Sequence, residues 1–418
     1  MTPPTKKHLS PAILVIVLFG FISMFGDMVY ESARSANSQY LNLLGVSAAT
    51  VGLVFGIGEF LGYALRLVSG LLSDKTSKHW LFLMIGYGML ISVPIMGLTR
   101  HWPLLVVLIL MERIGKALRN PSKDTIVSQV AQGDVGVGFA FGLQEALDQV
   151  GAFAGPLIFT LVFYVSGGQG IAQYQTAYRW LLVPFVMLMA FLVYVQRKTT
   201  AEGLIKAPAP GAFRSERLQP VFWWYSAFTF LATLGFVNFS LIGFHLKANS
   251  LLPDGQITLL YSIAMAVDAV SALLVGRWYD RLKQKNGRRM DGLGVLVGIP
   301  LLSMALPLLT LTHSVPLIVA GMVIFGIVMG THETVMRSAI ADLTPFSKRG
   351  TAYGVFNTIY GLGFLAGAAL MGWLYDHAYL NAINALSSGA EIAAFVVFIA
   401  LTRSLHALPG KGSSGNAG

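Results

Sequence analysis

The sequence predicts an all-α membrane protein with twelve transmembrane helices in two pseudo-symmetric six-helix bundles. Three observations carry that prediction. The 418 residues are 55% hydrophobic and only 11% charged, whereas a soluble domain carries about a quarter charged residues. Apolar runs near the ~20 residues needed to cross a bilayer recur along the whole chain. The second half of the chain also repeats the first.

Taken in order, helices 1 to 6 are expected near 11–42, 48–72, 80–98, 103–122, 138–165 and 177–196. Helices 7 to 12 are expected near 218–247, 256–278, 292–311, 316–338, 350–375 and 387–404. "MTPPTKKHLS" before the first run looks like the start of a signal peptide. The run is long and lacks a small-residue cleavage site, so it reads as a retained first helix. The stretch "RKTTAEGLIKAPAPGAFRSER" is rich in Pro, Ala and positive charge and reads as a cytoplasmic linker. The organisation is then an N-terminal bundle (1–196), a linker (197–217), a C-terminal bundle (218–404) and a Gly/Ser-rich tail (405–418) expected to be disordered.

The repeat is visible residue by residue. "GFAFGLQEALDQVGAFAG" (Gly138–Gly155) aligns without gaps on "GTAYGVFNTIYGLGFLAG" (Gly350–Gly367), so Gly151 and Gly155 meet Gly363 and Gly367. "GLLSDK" (Gly70–Lys75) meets "GRWYDR" (Gly276–Arg281) in the same way. Six helices repeated in parallel place both termini on one side, and such repeats build two bundles that rock about a central cavity.

The formal charge of +10 would suggest a polyanionic partner in a soluble protein. Its distribution argues otherwise. Most Lys and Arg fall beside segments that are cytoplasmic if the N-terminus is, and only Arg100, Arg179 and Lys247 fall beside outer loops. This is the positive-inside bias of an inner-membrane protein with cytoplasmic termini, and no nucleic-acid partner is expected. The chain has no cysteine, which excludes disulfides, thiolate metal sites and cysteine nucleophiles. "HETVM" (His332–Met336) lacks the second histidine of a zinc-hydrolase motif, and there is no Gly-Lys-Ser/Thr phosphate loop or spaced Ser/His/Asp set. The expectation is no enzyme, no cofactor and no metal.

Charge inside the spans carries the functional signal. In "GDMVYESAR", Asp27, Glu31 and Arg34 share one helical face. Glu59, Glu112, Arg113, Asp148 and Asp268 fall near mid-membrane, with Glu145, His332 and Glu333 nearer the cytoplasm. Each costs about 2.5–3.5 kcal/mol on insertion scales, so several together imply a hydrated or paired interior. The plain alternative for any one acid is a pair that only stabilises the bundle. A buried carboxylate is suited to binding and releasing protons, and an adjacent arginine ties that event to a pair made or broken. The proton-coupling candidates are Asp27, Glu31, Glu59 and Asp148. The substrate-contact candidates are Arg34, Glu112, Arg113 and Asn238, with Tyr30 and Phe141 as possible stacking faces. Glu112 and Arg113, being adjacent, are expected on different faces.

Twelve spans in two halves, the basic linker and the paired Gly-x-x-x-Asp-basic loops after helices 2 and 8 resemble the major facilitator superfamily over essentially the whole chain. The family pattern usually ends its first loop Gly-Arg-Arg/Lys; here Ser77, Lys78 and His79 stand in those places, while Gly287, Arg288 and Arg289 follow the second copy displaced by four residues. The resemblance implies that Gly70, Asp74, Lys75, Gly276, Asp280 and Arg281 belong to a gate latching the two halves. "GAFAGP" (Gly151–Pro156) resembles the Gly-x-x-x-Gly-Pro signature of the drug–proton antiporter branches, with Gly151, Gly155 and Pro156 as helix-bending positions and Phe159 and Thr160 where two glycines are usual. Arg113 resembles the family's helix 4 arginine. Helices 1, 4, 7 and 10 are implied to line the cavity.

The function expected is secondary active transport of a small organic molecule across the inner membrane by alternating access, as proton-coupled export by a monomer. The partners are then the substrate, protons and the lipid bilayer. An importer or facilitator, or a non-transporting sensor or scaffold, are the alternatives.

Overall fold

The computed structural model describes residues 11–131, 137–201, 218–286, 291–344 and 349–406. Among these there is no strand, and twelve membrane-length helical segments follow one another. They are α1 (Pro11–Leu43), α2 (Ala48–Thr76), α3 (His79–Met96), α4 (Trp102–Ala131), α5 (Val137–Ser166), α6 (Ile171–Ala201), α7 (Pro220–Ala248), α8 (Asp254–Asn286), α9 (Gly292–Thr310), α10 (Val315–Leu343), α11 (Arg349–Asp376) and α12 (Leu380–His406). Twelve crossings bring both ends of the described chain to one face, here the terminal face. Eleven are apolar enough to span by hydropathy alone. The exception is α4, which carries Glu112, Arg113, Lys116, Arg119, Lys123 and Asp124 from its middle onward.

Several boundaries differ from the sequence expectation for local reasons. The Gly-x-x-x-Asp-basic motifs stand on helix ends rather than in loops. α2 runs to Thr76 and stops where Ser77 turns left-handed (φ 54°), and α8 runs to Asn286. Nothing within either motif breaks a helix. α4 continues past Pro121 to Ala131, and Arg197–Ala201, expected in the linker, form the end of α6. α7 was expected to be continuous but is broken at 236–238. Phe236 is extended there, and Asn238 restarts the helix as its N-cap by accepting from the Leu241 amide at 3.1 Å. Residues 202–217, 287–290 (with Gly287, Arg288 and Arg289) and the tail beyond 406 lie outside the described residues.

Without a hydrophobic drive between lipid-bathed helices, close packing holds the bundle together, and it uses the repeated glycines. A side chain at Gly151 or Gly155 of α5 would collide with the backbone oxygens of Met24 and Met28 on α1. The paired positions of the second half do the same: Gly363 and Gly367 of α11 back onto Phe230 and Leu234 of α7. The sequence repeat is therefore a packing repeat. α5 runs through Pro156 without interruption, so in this conformation the GAFAGP stretch makes a contact seam rather than a break.

The halves meet along α2 against α11 and α5 against α8. Gly52 and Gly56 of α2 press on Ala368 and Leu365, and Gly372 presses on Ala48. At the face opposite the termini the Asp376 carboxylate accepts from the backbone amides of Ala48 and Ala49, both at 2.8 Å, so one half caps a helix of the other. Thr160 and Thr258 hydroxyls lie 2.8 Å apart across α5 and α8, and the Asp254 amide donates to Gln169 Oε1 at 3.2 Å. Gly243 on the second part of α7 packs onto Ser38 and Gln39 of α1. That face is closed.

Candidate functional site

Toward the terminal face the halves separate around a cavity of about 740 Å³. Its mouth is lined by Gly70 and Asp74 of α2, Asn120 and Asp124 of α4, and Glu145 of α5, and its floor by Asp27, Glu31 and Arg34 of α1. The opposite wall comes from α8, α10 and α11, through Met265, Asp268, Met329, Glu333, Tyr353 and Asn357. α7 contributes nothing to this lining, although the family resemblance implied that it would.

Above the floor lies a buried chain of alternating charge. Arg34 sits 3.6 Å from Glu31 and 3.7 Å from Glu59. Arg113 of α4 meets Glu59 at 2.8 Å and Glu112 at 3.3 Å, and its guanidinium donates to the Tyr30 hydroxyl. Glu112 and Arg113 thus pair although adjacent, contrary to the expectation of separate faces: both chains are long enough to fold toward each other from positions about 100° apart. Arg113 is 2% exposed and Glu112 3%. Charges so deeply placed are tolerable only as a mutually satisfying set. From the other half, the Tyr261 hydroxyl of α8 donates to Glu31 Oε2 at 2.5 Å. That bond ties the two halves together at the closed end of the cavity.

The remaining candidates fall as follows. Asp148 lines the cavity 3.6 Å from Lys123, whose ammonium also donates to Ser23 at 2.9 Å. Asp27 lines it with no cationic group within 4.0 Å among the described residues. Asn238 lies away from the main cavity, in a crevice of about 20 Å³ shared with Arg34 and Glu59, where its carboxamide caps α7 and accepts from Ser240. Gly70 rests on Pro121 at ordinary contact distance. The Asp74 carboxylate is 65% exposed and 4.0 Å from His79, and caps no helix here. Lys75, Asp280 and Arg281 are exposed on helix ends, and Gly276 packs beside Thr334.

Sequence reading missed Lys116, Arg119 and Lys123 as cavity residues by assigning them to the cytoplasmic positive belt. Their i, i+3, i+7 spacing is the signal that places them on one face. The Lys116 ammonium lies 3.7 Å above the Tyr30 ring, and the Arg119 guanidinium 4.9 Å from the Tyr87 ring centre. Tyr261 carried no signal at all, being one tyrosine among fifteen whose partner lies 230 residues away.

Paired, water-facing charges of both signs can bind a polar cargo, move protons and bridge two rigid bodies. They resemble no hydrolytic or redox centre. The comparisons with known proteins agree. The model of the Major Facilitator Superfamily matches residues 16–299 and 251–417. An uncharacterised protein of Mycobacterium tuberculosis is 34% identical over 392 residues, covering 92% of each chain. An uncharacterised transporter of the same superfamily type from Methanocaldococcus jannaschii is 26% identical over 372 residues, 86% of this chain and 88% of that one. Among solved structures, the nucleoside transporter NupG superposes with a TM-score of 0.67 at 13% identity, over 93% of this chain and 99% of that one, a likeness of fold alone. The chain is a transporter rather than an enzyme, and it belongs to the major facilitator superfamily.

Proposed function

We propose that this transporter exports a small organic molecule across the inner membrane in exchange for protons, as a monomer working by alternating access. Its termini lie in the cytoplasm on this reading, so the cavity faces inward. The single observation that carries the proposal is the Tyr261–Glu31 hydrogen bond, which joins the halves at a carboxylate belonging to the buried charge chain. Ionised Glu31 holds both Arg34 and the Tyr261 hydroxyl. A proton on Glu31 removes the charge that attracts them and loosens the closed end, so loading a proton and opening the opposite face become one event. Asp27 and Asp148, nearer the mouth, are the waypoints by which protons reach or leave Glu31, and Glu59 shares Arg34 and Arg113 as they are redistributed. Arg34, Arg113 and Glu112 meet the cargo directly or through that redistribution, while Asn238 acts by holding α7 beside Arg34.

The motifs at Gly70, Asp74 and Lys75 and at Gly276, Asp280 and Arg281 close the mouth when it shuts. The Gly151, Gly155 and Pro156 seam lets α5 slide on α1. The likeness of that seam to antiporter branches supports export.

Energised everted membrane vesicles carrying the protein test this. A panel of amphiphilic drugs and metabolites is added while acridine orange reports the interior pH. A coupled exporter dissipates the gradient with its substrate, and Asp27→Asn, Glu31→Gln and Asp148→Asn reduce that response. Unchanged dissipation in all three, singly and combined, defeats the coupling assignment.

A further inference from the structure

The cavity's charges are not evenly shared between its walls. All five lining cations, Arg34, Arg66, Lys116, Arg119 and Lys123, come from the N-terminal half. The C-terminal wall supplies no cation to the lining among the described residues, only the carboxylates Asp268 and Glu333 among Met265, Met329, Tyr353 and Asn357. Within this arrangement two buried groups of opposite sign each carry an atom without a hydrogen-bond partner. Arg119 is 2% exposed, and its Nη1 meets no acceptor. Asp268 is 3% exposed, and its Oδ1 meets no donor. Lys116, beside Arg119 on α4, has the Tyr30 ring beneath it and, among the described residues, no carboxylate within 4.0 Å. The other cation on this face of α4, Lys123, is already engaged by Asp148 and Ser23.

A buried ionic group without a partner is costly, and such groups are kept where a ligand completes them. Each is flanked by a close helix approach at a glycine: a methyl at Gly86 would meet the Arg119 Cβ at 2.7 Å and its amide at 2.8 Å, and one at Gly330 would collide with the Asp268 backbone oxygen and lie 2.7 Å from its Oδ1. By helical rise, Arg119 lies about 25 Å along α4 from Trp102, and Asp268 about 21 Å along α8 from Asp254. The two stand at comparable depth on facing halves, with the cavity between them rather than a salt bridge.

We propose that the cargo is a small zwitterion with separated charges, its anionic group held by Arg119 and Lys116 and its ammonium by Asp268 across the cavity. The proposal rests on the cavity being the cargo path. One molecule carrying both charges satisfies both walls, and a carboxylate or a phosphate serves equally as its anionic end. Asp27 and Asp148 lie on the cationic wall and Glu333 beside Asp268, so the ammonium end is directed to the wall with no competing cation. Because the two ends bind different halves, occupancy also ties the halves to each other.

Nα-Dansyl-lysine, with its carboxylate and ε-ammonium at opposite ends of a four-carbon chain, is a fluorescent probe of suitable form. Purified protein in lipid nanodiscs is titrated with it, with its methyl ester (cation only) and with its Nε-acetyl derivative (anion only), at one pH and without a gradient. The zwitterion is expected to bind about tenfold more tightly than either relative, the scale of one lost charge-assisted hydrogen bond. Asp268→Asn should weaken the zwitterion about tenfold and leave the acetylated anion unchanged, and Arg119→Gln should weaken it similarly and leave the ester unchanged. Equal or tighter binding of either single-charge relative to wild-type protein overturns the proposal, as does no measurable binding of the zwitterion. The wild-type comparison stands even if a variant fails to fold. Binding that follows this pattern without proton-linked flux would defeat the coupling assignment and leave this one standing.

Discussion

Arg113→Met is the most informative single perturbation of the buried charge chain. Methionine keeps the length and flexibility of the side chain but removes the cation from between two carboxylates. Glu59 retains Arg34 at 3.7 Å, and its side chain is 14% exposed, so part of its charge stays compensated. Glu112 has no such reserve: among the described residues its one ion-pair partner is Arg113, it is 3% exposed, and its Oε1 already lacks a donor. Breaking one side of a buried pair costs about 3–5 kcal/mol, because the surviving charge is left desolvated. The loss here should fall in that range, most of it on Glu112. Adding Glu112→Gln to Arg113→Met should then recover about 1–3 kcal/mol, although Glu112→Gln alone destabilises the wild type, since it leaves Arg113 with only Glu59. Reversible unfolding in mixed micelles, titrated with SDS and followed by tryptophan fluorescence, measures all four proteins of the cycle. A loss under about 1 kcal/mol for Arg113→Met, or no recovery on adding Glu112→Gln, would refute a charge chain held by mutual satisfaction.

Two further outcomes follow from the same geometry, and both use the absence of cysteine, which lets a single introduced thiol report accessibility without background. Tyr261→Phe removes the 2.5 Å bond to Glu31 and with it about 1.5–3 kcal/mol favouring the closed end, so a thiol at Ser38 should react with a polar maleimide roughly 10-fold faster or more; an unchanged rate means the bond does not hold that end shut. Gly52→Val should wedge α2 from Ala368 and similarly expose a thiol at Ala48, whereas Gly142→Val, where a side chain meets nothing within 4 Å, should leave labelling and stability at wild-type values; equal effects of the two would show that close approach of α2 and α11 is not what seals that face.

The fold was legible because its determinants are local or periodic. Low charge and recurrent apolar runs specify spans, and paired glycines four residues apart mark where one helix backbone meets another, in both halves. Local rules failed where a charge or a turn needed a partner to define it. The break in α7 at 236–238 depends on Asn238 finding the Leu241 amide, and no proline announces it. The expected end of α4 at residue 122 falls short of Ala131, because hydropathy cannot tell a group bound for water from one bound for a cavity.

The sequence by itself determined the class, the repeat, the crossing of many helices and the existence of an intramembrane charge set on α1, α2, α4 and α5. These follow from composition and from spacing along single helices, where neighbours in space are neighbours in the chain. Only the tertiary structure decided which charge answers which. Glu59 serves two arginines, Arg113 reaches the Glu112 next to it, Tyr261 holds Glu31 from the other half, and Arg119 and Asp268 are left facing a cavity. Ion pairs and hydrogen bonds act over a few ångströms, and the groups they join lie up to 328 residues apart, so their pairing is settled by how the helices pack rather than by the order of residues along the chain.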